Sequence, residues 1–300
     1  MALLSGAGQS YALSGANGVG LHNREDLQDF ITNISPTETP FLSGIGQVEA
    51  KAVIHEWLSH SLADAAADNV AVEGNESTFA TPTVLVRTTN QTQINEKTVA
   101  ISGTQDKVNK AGMGRELAYR VLLHTKEIKR DMESAALQNT VGVVGDSTTA
   151  RRIKGYAAFV TTNTSAVTTA PTADAINAEL QDIWTAGGNP DTLMVGGTNK
   201  RAISALTTGV VKNLDANDRR LVSAVDVYES DFSVQRVVPN RFDSTQTVKM
   251  IESDLFKMAV LRPLAISPLG KSGDTDKRLL NIEWTLECRA ENGNGSLGTA

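Results

Sequence analysis

A chain of 300 residues, 40% hydrophobic and 21% charged, is long enough to bury a core spread over about two domains. Its 28 Lys and Arg against 34 Asp and Glu leave a net charge of -6, which excludes the general basic footprint of a duplex-binding protein, and 5% aromatic residues disfavour stacking platforms for single strands. One cysteine, Cys288, leaves no intrachain disulfide and no cysteine-rich zinc cluster, so nothing implies an oxidising compartment.

Residues 1–23 are rich in Gly, Ser and Asn and read as an irregular arm that needs a partner to become ordered. They lack the basic start and unbroken apolar run of a signal peptide, and no apolar run in the chain approaches the ~18 residues of a membrane span. A short helix is expected over residues 24–31, with Leu27, Phe30 and Ile31 on one side, ending in the breaker segment 35–40.

Two stretches rich in Val, Thr and Ile, residues 48–58 and 84–101, show partial period-2 alternation and predict two strands of a long hairpin with an extended tip. At ~3.3 Å per residue such an arm reaches tens of ångströms, too far to bury both faces within its own domain. No Lys or Arg falls between Lys51 and Arg87, whereas Glu56, Asp64, Asp68, Glu73 and Glu76 do. An acidic arm implies a basic or amide-rich docking site; a solvated acidic loop is the alternative.

Residues 115–138 predict the clearest helix, with Leu117, Val121, His124, Ile128, Met132 and Ala135 at spacings of three and four. The opposite face carries Arg115, Glu116, Arg120, Lys126, Lys129, Arg130 and Glu133, so the helix should lie across a sheet with one stripe wet. A second helix, residues 173–186, places Ile176, Leu180, Ile183 and Trp184 together and stops at Gly187 and Gly188, where a left-handed cap is wanted. A strand at 192–195 and a helix at 199–206 follow, and 221–286 read as strands separated by turns. The whole is α+β.

Residues organised for catalysis are missing. His22, His55, His60 and His124 are scattered without a metal-ligand spacing. No Gly-x-Ser-x-Gly elbow occurs, and Cys288 lies in an expected strand as a small packing residue. The glycines near 15–20, 142–145 and 196–200 lack phosphate-cradle spacing, and Asp215 and Asp218 stand beside Arg219 and Arg220 as a salt-bridged surface. No enzyme, cofactor or metal is expected.

Three runs carry a resemblance: REDLQDFITNISPTETPFLSGIG (24–46), DIWTAGGNPDTLMVGGTNKRAISAL (182–206) and LRPLAISPLGKSGDTDKRLLNIEWTLECRAENGNGSLG (261–298). In their order and setting the chain resembles the major capsid proteins of tailed bacteriophages. The resemblance implies an HK97-like fold: N-arm 1–46, extended loop 47–102, peripheral domain with spine helix 103–149, axial domain 150–255, and closing strands of the peripheral domain 256–300.

The resemblance further implies self-assembly into pentamers and hexamers of an icosahedral head around double-stranded DNA held without tight or sequence-specific binding. It implies assembly in the bacterial host cytoplasm with a portal, a scaffolding protein and a decoration protein as candidate partners, and no membrane. The short arm favours a separate scaffold over a fused, cleaved one. Some relatives crosslink through an extended-loop lysine; no lysine lies between Lys51 and Lys97, and that chemistry is not expected. The acidic loop is expected to dock on a neighbour, with Lys126, Lys129 and Arg130 or Arg151, Arg152 and Lys154 as receptor. An encapsulin-like shell that holds enzyme cargo is the alternative; a secreted adhesin and a hydrolase are disfavoured by the missing signal peptide and missing site.

Overall fold

The computed structural model describes residues 37–76, 79, 81–109, 114–167, 170–206, 226–244, 246–271 and 273–298. The expected arm at 1–23, the helix at 24–31 and the Asp215–Arg220 cluster lie outside them.

Two sheets and a hairpin organise the chain. A short helix α1 (Pro40–Gly44) leads into β1 (Gly46–Glu49), then β2 (Ile54–Ser59), β3 (Val86–Gln91) and β4 (Gln93–Ser102). Each of the two expected loop strands is thus split in two. β2 pairs only with β3, from Ile54 opposite Gln91 to Ser59 opposite Val86, whereas β1 and β4 belong to another sheet. The division at Thr92 is a change of partner, since its N–H still bonds the Val53 carbonyl at 2.8 Å.

After α2 (Gly103–Lys107), capped by the Ser102 hydroxyl at 3.2 Å from the Gln105 N–H, comes α3 (Glu116–Gln138). At ~1.5 Å per residue it is about 35 Å long. It lies across β4 and β11 (Thr275–Cys288), as an amphipathic helix of this spacing should. The stripe is wider than the spacing suggests: Glu116 and Glu133, expected on the wet face, are buried, and His124 is half-exposed.

β11 and β10 (Phe256–Pro268) form a long antiparallel pair at the centre of a four-stranded sheet, order β1-β10-β11-β4. Phe41, Ile128, Leu137, Tyr156, Phe256 and Trp284 fill the core beneath it, with Phe41 meeting the Phe256 ring edge-on at 5.7 Å. Each large side chain so buried contributes about 2 kcal/mol.

The other sheet is six-stranded, order β5-β12-β9-β6-β8-β7, built from β5 (Thr164–Ala166), β6 (Thr192–Val195), β7 (Val227–Glu229), β8 (Val234–Pro239), β9 (Thr247–Ile251) and β12 (Gly295–Gly298). Two helices cover it. α5 (Ala173–Thr185) starts at Thr172, whose hydroxyl accepts the Ala175 N–H, and ends where Gly187 takes φ +91° and the Gly188 N–H bonds the Ile183 carbonyl. α6 (Gly197–Leu206) packs on β6 and β8. Ile176, Leu180 and Ile183 are buried as expected; Trp184 is not, lying exposed with its ring 5.8 Å from that of Phe232.

Not all of 256–300 closes the first sheet. β10 and β11 do, but β12 crosses into the six-stranded sheet between β5 and β9. The short helix α4 (Tyr156–Phe159) bridges the halves: the Tyr156 ring stacks on Phe256 in the first core, and its hydroxyl lies 2.9 Å and 2.7 Å from the carbonyls of Met250 and Gly295 in the second sheet.

Candidate assembly surface

The β2–β3 hairpin stands on a root of buried polar groups. Asn90 is buried and fully used: its amide donates to the Lys154 and Leu286 carbonyls at 3.0 and 2.7 Å, and its oxygen accepts from the Lys154 and Gln91 N–H groups at 2.9 Å each. Trp57 Nε1 donates to the Cys288 carbonyl at 2.7 Å, and its ring leans on Phe159.

Two carboxylates of β11 complete the root. Glu283 accepts from Arg151 and Arg262 at 2.7 Å and from Thr92 at 2.9 Å; burial alone would raise its pKa, but these donors hold it below the ordinary value. Glu287 takes His55 at 3.0 Å and Arg289 at 2.9 Å, and is lowered the same way against its burial. The sequence signal was present. In IEWTLEC, acids alternate with Trp284 and Leu286, a pattern that reads as a solvent face; here the loop's root and the 151–154 segment cover that face.

Beyond the root the loop stands free. Residues 60–76 are exposed throughout, including Asp64, Asp68, Glu73 and Glu76. Glu56 meets Arg87 across the hairpin at 3.4 Å, an exposed pair of small worth. Exposed with the acids are Leu62, Val70, Val72, Phe79 and Val84, an apolar set that charge counting overlooked.

The two expected receptor clusters fare differently. Lys126 and Lys129 lie exposed on α3 with no ion-pair partner among the described residues. Arg130 is half-buried with its guanidinium 5.4 Å from the centre of the Phe242 ring. Arg151 is held by Glu283, Arg152 is exposed with Nε on the Val141 carbonyl, and Lys154 is half-buried beside Asn90. Within one chain none of these cations meets a tip carboxylate among the described residues.

A cleft of about 480 Å³ at the root is lined by His60, Phe159, Cys288 and Glu291. Burial pushes the Cys288 thiol up to about 12, which denies it the thiolate a nucleophile needs. Among the described residues no group of three His, Cys, Asp or Glu could hold a metal ion, and no helix is long and apolar enough to cross a membrane.

Comparison with known proteins places this architecture. A curated relative, the major capsid protein of Escherichia phage Phieco32, is 26% identical over 91% of this chain and 93% of its own length. Among solved structures, the capsid of a native GTA particle superposes with a TM-score of 0.66 at 13% identity, covering 96% of this chain and all of the other. The SrpI encapsulin of Synechococcus elongatus PCC 7942 shares the fold at a TM-score of 0.57 and 11% identity, over 89% and 91% of the two chains. The family model described as SU10 major capsid protein matches residues 8–300, and with the HK97-like fold of the sheets, spine helix and projecting loop the chain belongs to that family of phage major capsid proteins.

Proposed function

We propose that this subunit builds an icosahedral head from pentamers and hexamers around double-stranded DNA, and that its extended loop lies over a neighbouring copy. The observation that carries the reading is the loop itself: beyond the Glu56–Arg87 pair, acidic and apolar side chains project from a root of buried hydrogen bonds, and among the described residues nothing of their own chain covers them. On this reading the four-stranded sheet with α3 is the peripheral domain between capsomers, and the six-stranded sheet is the axial domain at their centres. Function is then the sum of many modest interfaces closed by symmetry.

The exposed pair Lys126 and Lys129 on α3 is the better-placed receptor for the tip carboxylates, since Arg151 is committed to Glu283. A net charge of -6 suits a container that must let DNA slide during packing. A portal and a separate scaffolding protein are the partners expected of such a head, with a decoration protein as a further candidate, and assembly takes place in the host cytoplasm.

Electron microscopy and light scattering on the protein expressed alone, and with a scaffold, test this directly. Closed shells, tubes or isolated capsomers are expected; a monodisperse monomer under both conditions defeats it. A shell filled with co-purified enzyme in place of DNA would favour the encapsulin-like reading, which rests on the shared fold alone. The doubly reversed variant Lys126→Glu/Lys129→Glu is expected to assemble at least tenfold less readily, with Glu73→Lys/Glu76→Lys in the same chain restoring part of the loss; equal loss in the combined variant argues for another receptor.

A further inference from the structure

A second feature of the same half answers the apolar side of the loop. Between α1, α3 and the strands β10 and β11 runs a cleft of about 340 Å³ lined by Leu42, Ile45, Ile128, Met132, Met258 and Ile282, with the exposed Lys129 also lining it. β1 accompanies β10 only as far as Glu49 opposite Val260, yet β10 continues to Pro268. The cleft therefore lies along a strand edge, at Leu264, that carries no neighbouring strand among the described residues.

The loop tip offers the complementary chemistry. Phe79 is fully exposed, and Glu73 and Glu76 precede it by a few residues. About 26 residues separate β2 from β3, enough chain for each arm to span at most roughly 40 Å if fully extended. The root is fixed at the Cys288 end of β11, and no residue of the tip lines the cleft of its own chain among the described residues.

We infer that this cleft is a socket for the loop tip of a second copy, with Phe79 as the aromatic anchor between Met132 and Met258 and with Glu73 and Glu76 over Lys126 and Lys129. The inference rests on the loop-over-neighbour reading and adds the place and the anchor. Polarisable methionine sulfurs suit an aromatic guest, Lys129 at the mouth and Lys126 near it on α3 suit the two acids that precede it, and the open edge of β10 can pair with an extended backbone. One aromatic buried in an apolar pocket with polar groups and Lys129 at its margin has the form of an interface hot spot.

Photoreactive benzoylphenylalanine in place of Phe79 tests it, in chains mixed with isotopically labelled unmodified subunits, assembled, irradiated and mapped by mass spectrometry. Adducts joining position 79 to peptides containing Met132 or Met258 of the labelled copy are expected. Adducts on residues 151–154, or only within the same chain, overturn it. In parallel, Phe79→Ala should raise the concentration needed for assembly about 30-fold with unchanged thermal unfolding of the subunit, and Phe79→Leu should restore much of the loss. If the unmodified protein forms shells while Phe79→Ala assembles equally well, the socket fails and the shell reading stands. If the unmodified protein forms no shell, both fall.

Discussion

Glu133 stands where three parts of the chain meet. Its oxygens accept the N–H groups of Phe41 and Leu42 at 2.8 and 2.9 Å and the Asn240 amide at 2.7 Å, joining α1 and the turn after β8 to the spine helix. Burial raises its pKa despite these donors. Replacing it, Glu133→Ala, strands three donors in the interior and should cost about 3 kcal/mol, read as a fall in the midpoint of denaturant unfolding; a change within 0.5 kcal/mol would show that the junction relaxes around the loss. Helical spacing put Glu133 on the wet face because it flanks the apolar stripe next to Met132, and a single helix's periodicity carries no trace of the α1 turn that covers it.

Glu287 behaves in the opposite sense. Its folded pKa lies below the ordinary 4.5, so the stability it lends the loop's root is whole above that value and fades as pH falls through the lower folded one. Trp57, on the neighbouring carbonyl, reports the event. On acidification from the ordinary carboxylate range downward its fluorescence should change before global unfolding, and Glu287→Gln should abolish that early phase; an unaltered phase would assign it to another group.

At the scale of elements, the end of α3 is set by a glycine. Gly155 approaches so closely that a methyl group there would meet the carbonyl oxygens of Ala135, Ala136 and Asn139 at 2.7, 2.8 and 2.9 Å, all backbone atoms unable to give way. Gly155→Ala is expected to cost 1–3 kcal/mol or more, roughly the range for overpacking, and to lower the unfolding temperature by several degrees. Helices α3, α5 and α6 were legible from periodicity and from Gly187, because each owes its length to a local pattern. The strands were legible in kind but not in extent. Gln91, Thr92 and Gln93 contain no breaker, and only the partner on the far side changes, from β2 to β11. Sequence has no local mark for such an exchange.

At the scale of the molecule, the proposal puts the loop and its receptor on different copies, and among the described residues Asp64, Asp68, Glu73 and Glu76 meet none of the cations singled out in sequence. The acids were visible from the gap between Lys51 and Arg87; the proposed choice between basic clusters was not, since it rests on Glu283 having claimed Arg151. The same gap makes a clean assay. Trypsin finds no site between Lys51 and Arg87, whereas a glutamate-specific protease should cut free subunits rapidly at Glu73 and Glu76 and spare assembled shells. Equal cleavage rates in the two states would show that assembly leaves the tip exposed.

The placement of β12 and β1 bears on time as well as shape. β12 sits between β5 and β9, and β1 beside β10, so each sheet joins segments from distant parts of the chain. Long-range pairing of this kind folds slowly, because loop closure precedes any reward from contact. The slow step in refolding this chain is therefore expected to be the closing of those long loops, seen as β1 and β12 joining their sheets late and together, and a refolding rate as fast as that of a helical chain of equal length would refute it.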